Sequence, residues 1–342
     1  MDRLVAHTLR PAMRAWRGLK QIEPVKRFLY SVANEEAFGR VLQHEVMLAD
    51  RDRVDSYARA FERFIGPSDT VVDLGTGTGI LAMLAAQRGP RQVHAIDASA
   101  IIDLAAVVAR RNGLDRIAFH RMHSRDFTPP ESVSVIAHEQ IGDHLIDEDM
   151  IRNVCDLRDR ILARGGRILP ARFLAFLEPV ELRDGVGVPQ VWNQRIHGLD
   201  FSVARDWLAS RPEIAPEPSM PLHPDEVAGF LTDPAPAFAV DLETMRPDAT
   251  PGTIRMSKTA VRDGIMAGFC MYFRICFDDD IWIDNSPFTE VRRAFRHHWL
   301  SMLFRTDPTT LHRGDRIDIE WRIDNPTAVA AWKLDWTVVR PS

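Results

Sequence analysis

Cysteine is scarce: Cys155, Cys270 and Cys276 are the only three in a chain of 342 residues. Their number is odd and their spacing is neither metal-binding nor redox, which argues against a disulfide or zinc framework. No apolar run reaches the roughly 18–20 residues that a membrane span needs. The basic N-terminus MDRLVAHTLRPAMRAWRGLK is interrupted by Arg3, Arg10, Arg14 and Arg17 before a secretory core can form, so an amphipathic helix is expected there instead. Charge of one sign is not in excess either. The formal net charge is −5, against the clustered Lys and Arg that counterion release from nucleic acid requires. Lysine itself is nearly missing, with only Lys20, Lys26, Lys258 and Lys333 among 43 basic residues. These absences leave a globular cytoplasmic protein with no membrane or nucleic-acid partner and no metal. At 45% hydrophobic and 27% charged, it is long enough for two domains.

What is present alternates. TVVDLG is a β-branched apolar run ending in glycine, and ILAMLAAQRG is a helix former closed by Gly89. QVHAIDAS and IIDLAAVVARRNG repeat the pattern, and SVSVIAHE adds a later strand. Strand–helix alternation of this kind implies a parallel sheet with helices on both faces. Upstream, SYARAFERFI places Tyr57, Phe61 and Ile65 at helical spacing. After RILARGGRILP the texture changes to short β runs, among them RFLAFLEPVEL, GIMAGFCMYFRICF, DRIDIEWRI and AWKLDWTVV, which suggest an antiparallel sheet or barrel. Between them EIAPEPSMPLHP is too proline-rich for a simple helix and reads as an inserted arm or lid.

The most informative segment is VVDLGTGTGIL. Gly75, Gly77 and Gly79 sit where a strand turns into a helix, so the backbone can approach a ligand whose anionic or polar parts meet free N–H groups. Asp73, just before the turn, would repel a pyrophosphate but suits a ligand bearing an ammonium and a sulfonium. The GxGxG spacing, in place of GxGxxG, points the same way. Asp97, at the end of the second strand, can accept bonds from both hydroxyls of a ribose, and Asp126, after the third, can accept an adenine amino group. On the residues alone, either aspartate is also a plausible loop acid. Glu139 and Glu148 flank Gly142, which lets the segment fold back. Two close carboxylates repel unless a cation lies between them or one keeps a proton, so the pair would trap a cation. Read in isolation, the same residues are a strand end and a helix start.

TVVDLGTGTGIL, AIDAS, HEQIGDHLIDEDM and RHHW together, in this order, resemble the motifs of the protein arginine N-methyltransferases, and HEVMLADRDRVDSY resembles the segment that reaches over the cofactor in that family. The resemblance runs from about His44 to Trp336. It implies an α/β protein: N-terminal helices and a cofactor-covering segment over 1–65, a Rossmann-like S-adenosylmethionine-binding domain over 66–169, and an antiparallel β-barrel substrate domain over 170–342. A helical dimerisation arm at about 200–232, entered through VWNQRIHGLDFS, implies a homodimer. His44 and Arg53 are expected at the methionine part of the cofactor, Arg53 pairing with its carboxylate. Met47 is expected beside the transferred methyl and Trp299 at the substrate pocket. Glu139 and Glu148 match the paired glutamates of the family. His298 and Asp50 match its histidine–carboxylate dyad, which can take a proton or tie the two domains together.

Three places depart from the pattern: NEEAF, residues 34–38, stands where the family has paired tyrosines; Gln140 replaces an aromatic residue after the first glutamate; and His297 replaces a threonine. The expected reaction is methyl transfer to a guanidino nitrogen of a protein or peptide arginine, leaving S-adenosylhomocysteine. A small guanidine or amine, free arginine included, is the alternative acceptor, and a non-catalytic cofactor-binding subunit is the third alternative.

Overall fold

The computed structural model describes residues 41–186, 191–192, 194–209, 218–289 and 298–341. The helices expected over 1–40, NEEAF and His297 lie outside the described residues.

Helix α1 (Val41–Ala49) leads into α2 (Arg51–Phe64), which Asp50 caps by accepting the Arg53 N–H at 3.1 Å. One face of α2 is apolar, and its Tyr57 and Phe61 are fully buried. Then come β1 (Thr70–Leu74), α3 (Ile80–Ala86), β2 (Gln92–Asp97), α4 (Ile101–Arg111), β3 (Ile117–Arg121), β4 (Val133–His138), α5 (Met150–Ile161) and β5 (Leu162–Leu169). The five strands form one parallel sheet in the order β3-β2-β1-β4-β5. All five residues of β1 are buried, as a strand covered on both faces requires. Strand order reverses between β1 and β4, where Leu74 lies opposite His138. The glycine turn and Glu139 therefore leave neighbouring strands at one level, beside the crevice where such sheets bind ligands.

The rest is antiparallel. The strands are β6 (Arg172–Leu182), β7 (Arg195–Ile196), β8 (Leu199–Asp200), β9 (Met220–Leu222), β10 (Val227–Phe230), β11 (Pro236–Asp241), β12 (Gly252–Thr259), β13 (Gly264–Cys276), β14 (Trp282–Asp284), β15 (Ser301–Leu311), β16 (Arg316–Ile323) and β17 (Lys333–Val339), with α6 (Val203–Ala209) after β8. A seven-stranded sheet runs β10-β6-β13-β15-β9, with β11 on β6 and β14 on β13, and a three-stranded sheet runs β12-β16-β17. The two sheets share a core through edge-to-face pairs such as Phe304–Trp321 and Phe269–Trp336, each with ring centroids 5.9 Å apart. Within the span expected for the arm, α6 fits an insertion, but β9 and β10 are strands of the seven-stranded sheet. A proline-rich composition is equally compatible with short edge strands such as these.

Candidate active site

A cavity of about 530 Å³ opens at the carboxyl end of the parallel sheet. Its walls hold His44, Met47, Arg53, Gly75, Gly77, Asp97, Glu139 and Glu148, so residues expected from four separate segments meet there. Gly75, Gly77 and Gly79 all have positive φ, at 73°, 52° and 84°. At Gly77 a Cβ would sit 2.9 Å from His44 Cε1, and at Gly79 it would meet Ala105 Cβ at 2.9 Å. Glycine is required at both by conformation and by close approach.

Asp97 is already engaged. Its Oδ2 accepts the Gly77 N–H at 2.8 Å and its Oδ1 accepts the Ser99 N–H at 2.8 Å and the Ser99 hydroxyl at 2.6 Å. It fixes the turn while still facing the cavity. Asp73 lies beneath it, 1% exposed. Its Oδ2 accepts from Thr76 Oγ1 at 2.6 Å and Ala82 N at 2.9 Å, while the buried Oδ1 has no partner among the described residues. Burial pushes its pKa up to about 7. Asp126 does not join them: it is exposed at the end of a short 3-10 turn and outside the lining, to which Met122, His123 and Ser124 contribute instead.

A charged chain runs to the cavity wall, which Arg53 and Glu139 line while Asp50 and His298 lie outside the lining. Asp50 Oδ2 accepts from His298 Nδ1 at 3.2 Å and from His298 N at 3.1 Å. His298 Nε2 lies 3.6 Å from Glu139 Oε1, and Glu139 Oε2 lies 3.2 Å from Arg53 Nη1. Arg53, expected opposite a cofactor carboxylate, pairs here with Glu139, and its Nη2 donates to the Met47 carbonyl at 2.8 Å. Burial disfavours the charged form of His298, but hydrogen bonds to Asp50 and Glu139 outweigh it and raise its pKa above 6.5. Glu148, which contacts no base among the described residues, has its pKa raised by burial first and by the Glu139 charge second.

Trp299 does not line the cavity. It is 3% exposed, packs edge-to-face on Phe273 and donates Nε1–H to the Ile141 carbonyl at 2.8 Å. Its ring belongs to the core and its polar tip holds the loop between the two glutamates. Sequence reasoning missed Arg152, Asn153 and Asp156, which line the cavity from one face of α5; their spacing from Asp149 is helical and could have revealed them. Pro247 and Asp248, contributed by the loop between β11 and β12, carry no such signal. Among the described residues, no three His, Cys, Asp or Glu side chains are grouped to hold a metal.

A parallel sheet in this order, with a glycine turn and an acid at the end of β2 facing one crevice, defines a Rossmann-like methyltransferase domain, and residues 71–166 match a family model described as a methyltransferase domain. Across most of its length the chain is similar to the protein arginine N-methyltransferases. It is 31% identical over 254 residues to a probable protein arginine N-methyltransferase 6 of Arabidopsis thaliana, covering 72% of this chain and 57% of that protein. It is 29% identical over 287 residues to the Xenopus laevis protein arginine N-methyltransferase 6, covering 80% of each. The fold is that of Arabidopsis thaliana protein arginine methyltransferase 10, at a TM-score of 0.70 and 21% identity over 89% of this chain and 99% of that one. A Trypanosoma brucei enzyme–prozyme heterotetramer with AdoHcy superposes at 0.71 and 20% identity, covering 89% and 100%.

Proposed function

We propose that this protein is an S-adenosylmethionine-dependent N-methyltransferase acting on a guanidino nitrogen of arginine in a protein or peptide. One observation carries the proposal: Glu139 and Glu148 face the same cavity as the glycine turn and Asp97. The residues present fit the cofactor. Asp97 suits vicinal hydroxyls, Gly75 and Gly77 line the cavity with bare backbone, and the unpartnered Asp73 Oδ1, on a residue outside the lining, offers an acceptor to an ammonium group. His44, Arg53, Asp73, Gly75, Gly77, Gly79 and Asp97 would hold it, with Met47 beside the methyl. When bound, the cofactor supplies a methyl group on a sulfonium, open to in-line attack.

The chain's own task is to orient a weak nucleophile, because guanidinium charge is delocalised. Glu139 and Glu148 grip it through paired charge-assisted bonds and draw positive charge toward the nitrogens that do not react. Burial and the neighbouring Glu139 charge raise the Glu148 pKa, so the empty pair favours taking up a proton or a cation, and a guanidinium meets that need. His298, its pKa raised by Asp50 and Glu139, serves better as a charged brace for Glu139 than as a proton acceptor. The enzyme is taken as a homodimer in the cytoplasm; no helix among the described residues is long and apolar enough to cross a membrane.

The test is to incubate the protein with labelled cofactor and, in parallel, an arginine-rich peptide, free arginine or cell lysate, then locate the label by mass spectrometry. Methylarginine in the peptide supports the proposal; label on free arginine alone moves the acceptor to small guanidines, and no label anywhere overturns the enzymatic reading.

A further inference from the structure

The loop joining the two glutamates is strained, and so is the residue that follows the second of them. Leu145, fully buried, has φ 69° and Asp149 has φ 58°, a region that side-chain-bearing residues hold only when their surroundings over-determine them. The surroundings are specific. Asp147 folds back over Gly142, where a Cβ would lie within 2.0 Å of Asp147 Oδ1 and 3.1 Å of Glu148 Cγ. The His144 N–H donates to that same Oδ1 at 3.1 Å, and His144 Nδ1 bonds Asp147 Oδ2 at 3.0 Å. On the other side of the ring, Nε2 lies 2.7 Å from the hydroxyl of Ser219, just before β9. With Nδ1–H donated to the carboxylate, Nε2 accepts the Ser219 proton. The ring also stands edge-on to Trp332, at 5.5 Å and 80°.

Serine, histidine and aspartate in this order have the geometry of a nucleophilic relay, yet Ser219 is 6% exposed and lines neither the cavity described above nor a second one beside Tyr272. The three side chains anchor and do not attack. We infer that His144 and Asp147, held by Ser219, form a clamp that sets the separation of Glu139 and Glu148, making His144 a positioning residue for the reaction proposed above, on which this inference rests. The clamp joins the acid loop to the segment leading into β9, 75 residues away in sequence, so the substrate grip is tuned from outside the cavity lining.

His144→Phe keeps a ring against Trp332 and removes both side-chain bonds. It should lower kcat at least about tenfold, a misplacement effect, with cofactor affinity within about twofold of wild type, because the turn at Gly75–Gly79 is untouched. Ser219→Ala should lower kcat in the same sense and Ser219→Thr should restore it. Amide hydrogen exchange over residues 139–149, which needs no turnover, should accelerate in His144→Phe. Unchanged exchange overturns the clamp whether or not the enzyme is active; wild-type kcat in His144→Phe overturns it as well. Absence of turnover in the wild type instead defeats the proposed function and leaves the exchange measurement to decide the clamp.

Discussion

His298 Nε2 stands 3.6 Å from Glu139 Oε1 while its Nδ1 bonds Asp50 at 3.2 Å. One imidazole thus joins the first helical cap of the described chain to the first of the two glutamates, and its charge state is set by both carboxylates. The folded-state pKa is raised. The stabilisation it provides is therefore complete below 6.5 and lost as pH climbs through the raised value. The unfolding free-energy gap between wild type and His298→Gln should narrow from about pH 6 to pH 9. A gap that widens over this range in denaturant titrations would contradict a protonated brace.

Glu139 is shared by Arg53 and His298. Glu139→Gln should cut kcat by about 10²–10³, the scale of losing an electrostatic stabiliser. Cofactor affinity should hold or rise, since Arg53 is released toward the cavity. Calorimetry with S-adenosylhomocysteine measures the second half, and a matching collapse of affinity and turnover would place Glu139 in cofactor binding instead.

Burial pushes the Asp73 pKa up to about 7, so binding a cationic ligand next to it at pH 7 should release part of a proton. Titrations in two buffers of different ionisation enthalpy report that fraction directly; identical heats in both would remove Asp73 from contact with the ammonium.

Gly77→Ala forces a Cβ to 2.9 Å from His44 Cε1 at φ 52°. The strain should cost about 1–3 kcal/mol and push His44 off the cavity wall, weakening cofactor binding. A variant with native affinity and native melting temperature would show that the turn tolerates a side chain.

The parallel half was legible because its first two strands are short apolar runs, TVVDL closed by Gly75 and QVHAID ending in an acid, each followed by a helix former. Asp97 could be placed from its position at a strand end, since the end of β2 is fixed by the sheet. Asp126 could not, because a single 3-10 turn after β3 decides whether an acid faces inward. The contacts between halves were out of reach of local patterns: nothing in HEQIGDH tells His144 that Ser219 will be its partner, and Arg53 carries no mark of pairing with Glu139. Trp299 shows the commonest ambiguity, an aromatic residue equally suited to a pocket wall and to a core.

Asp50 and His298 lie 248 residues apart, before and after nearly everything between them. A ribosome must deliver almost the entire polypeptide before this pair can meet, although the glycine turn and Asp97 emerge early. A nascent chain can therefore hold the residues that recognise a nucleoside well before it is able to act, and a chain cut after the parallel sheet but upstream of His298 should be chemically inert.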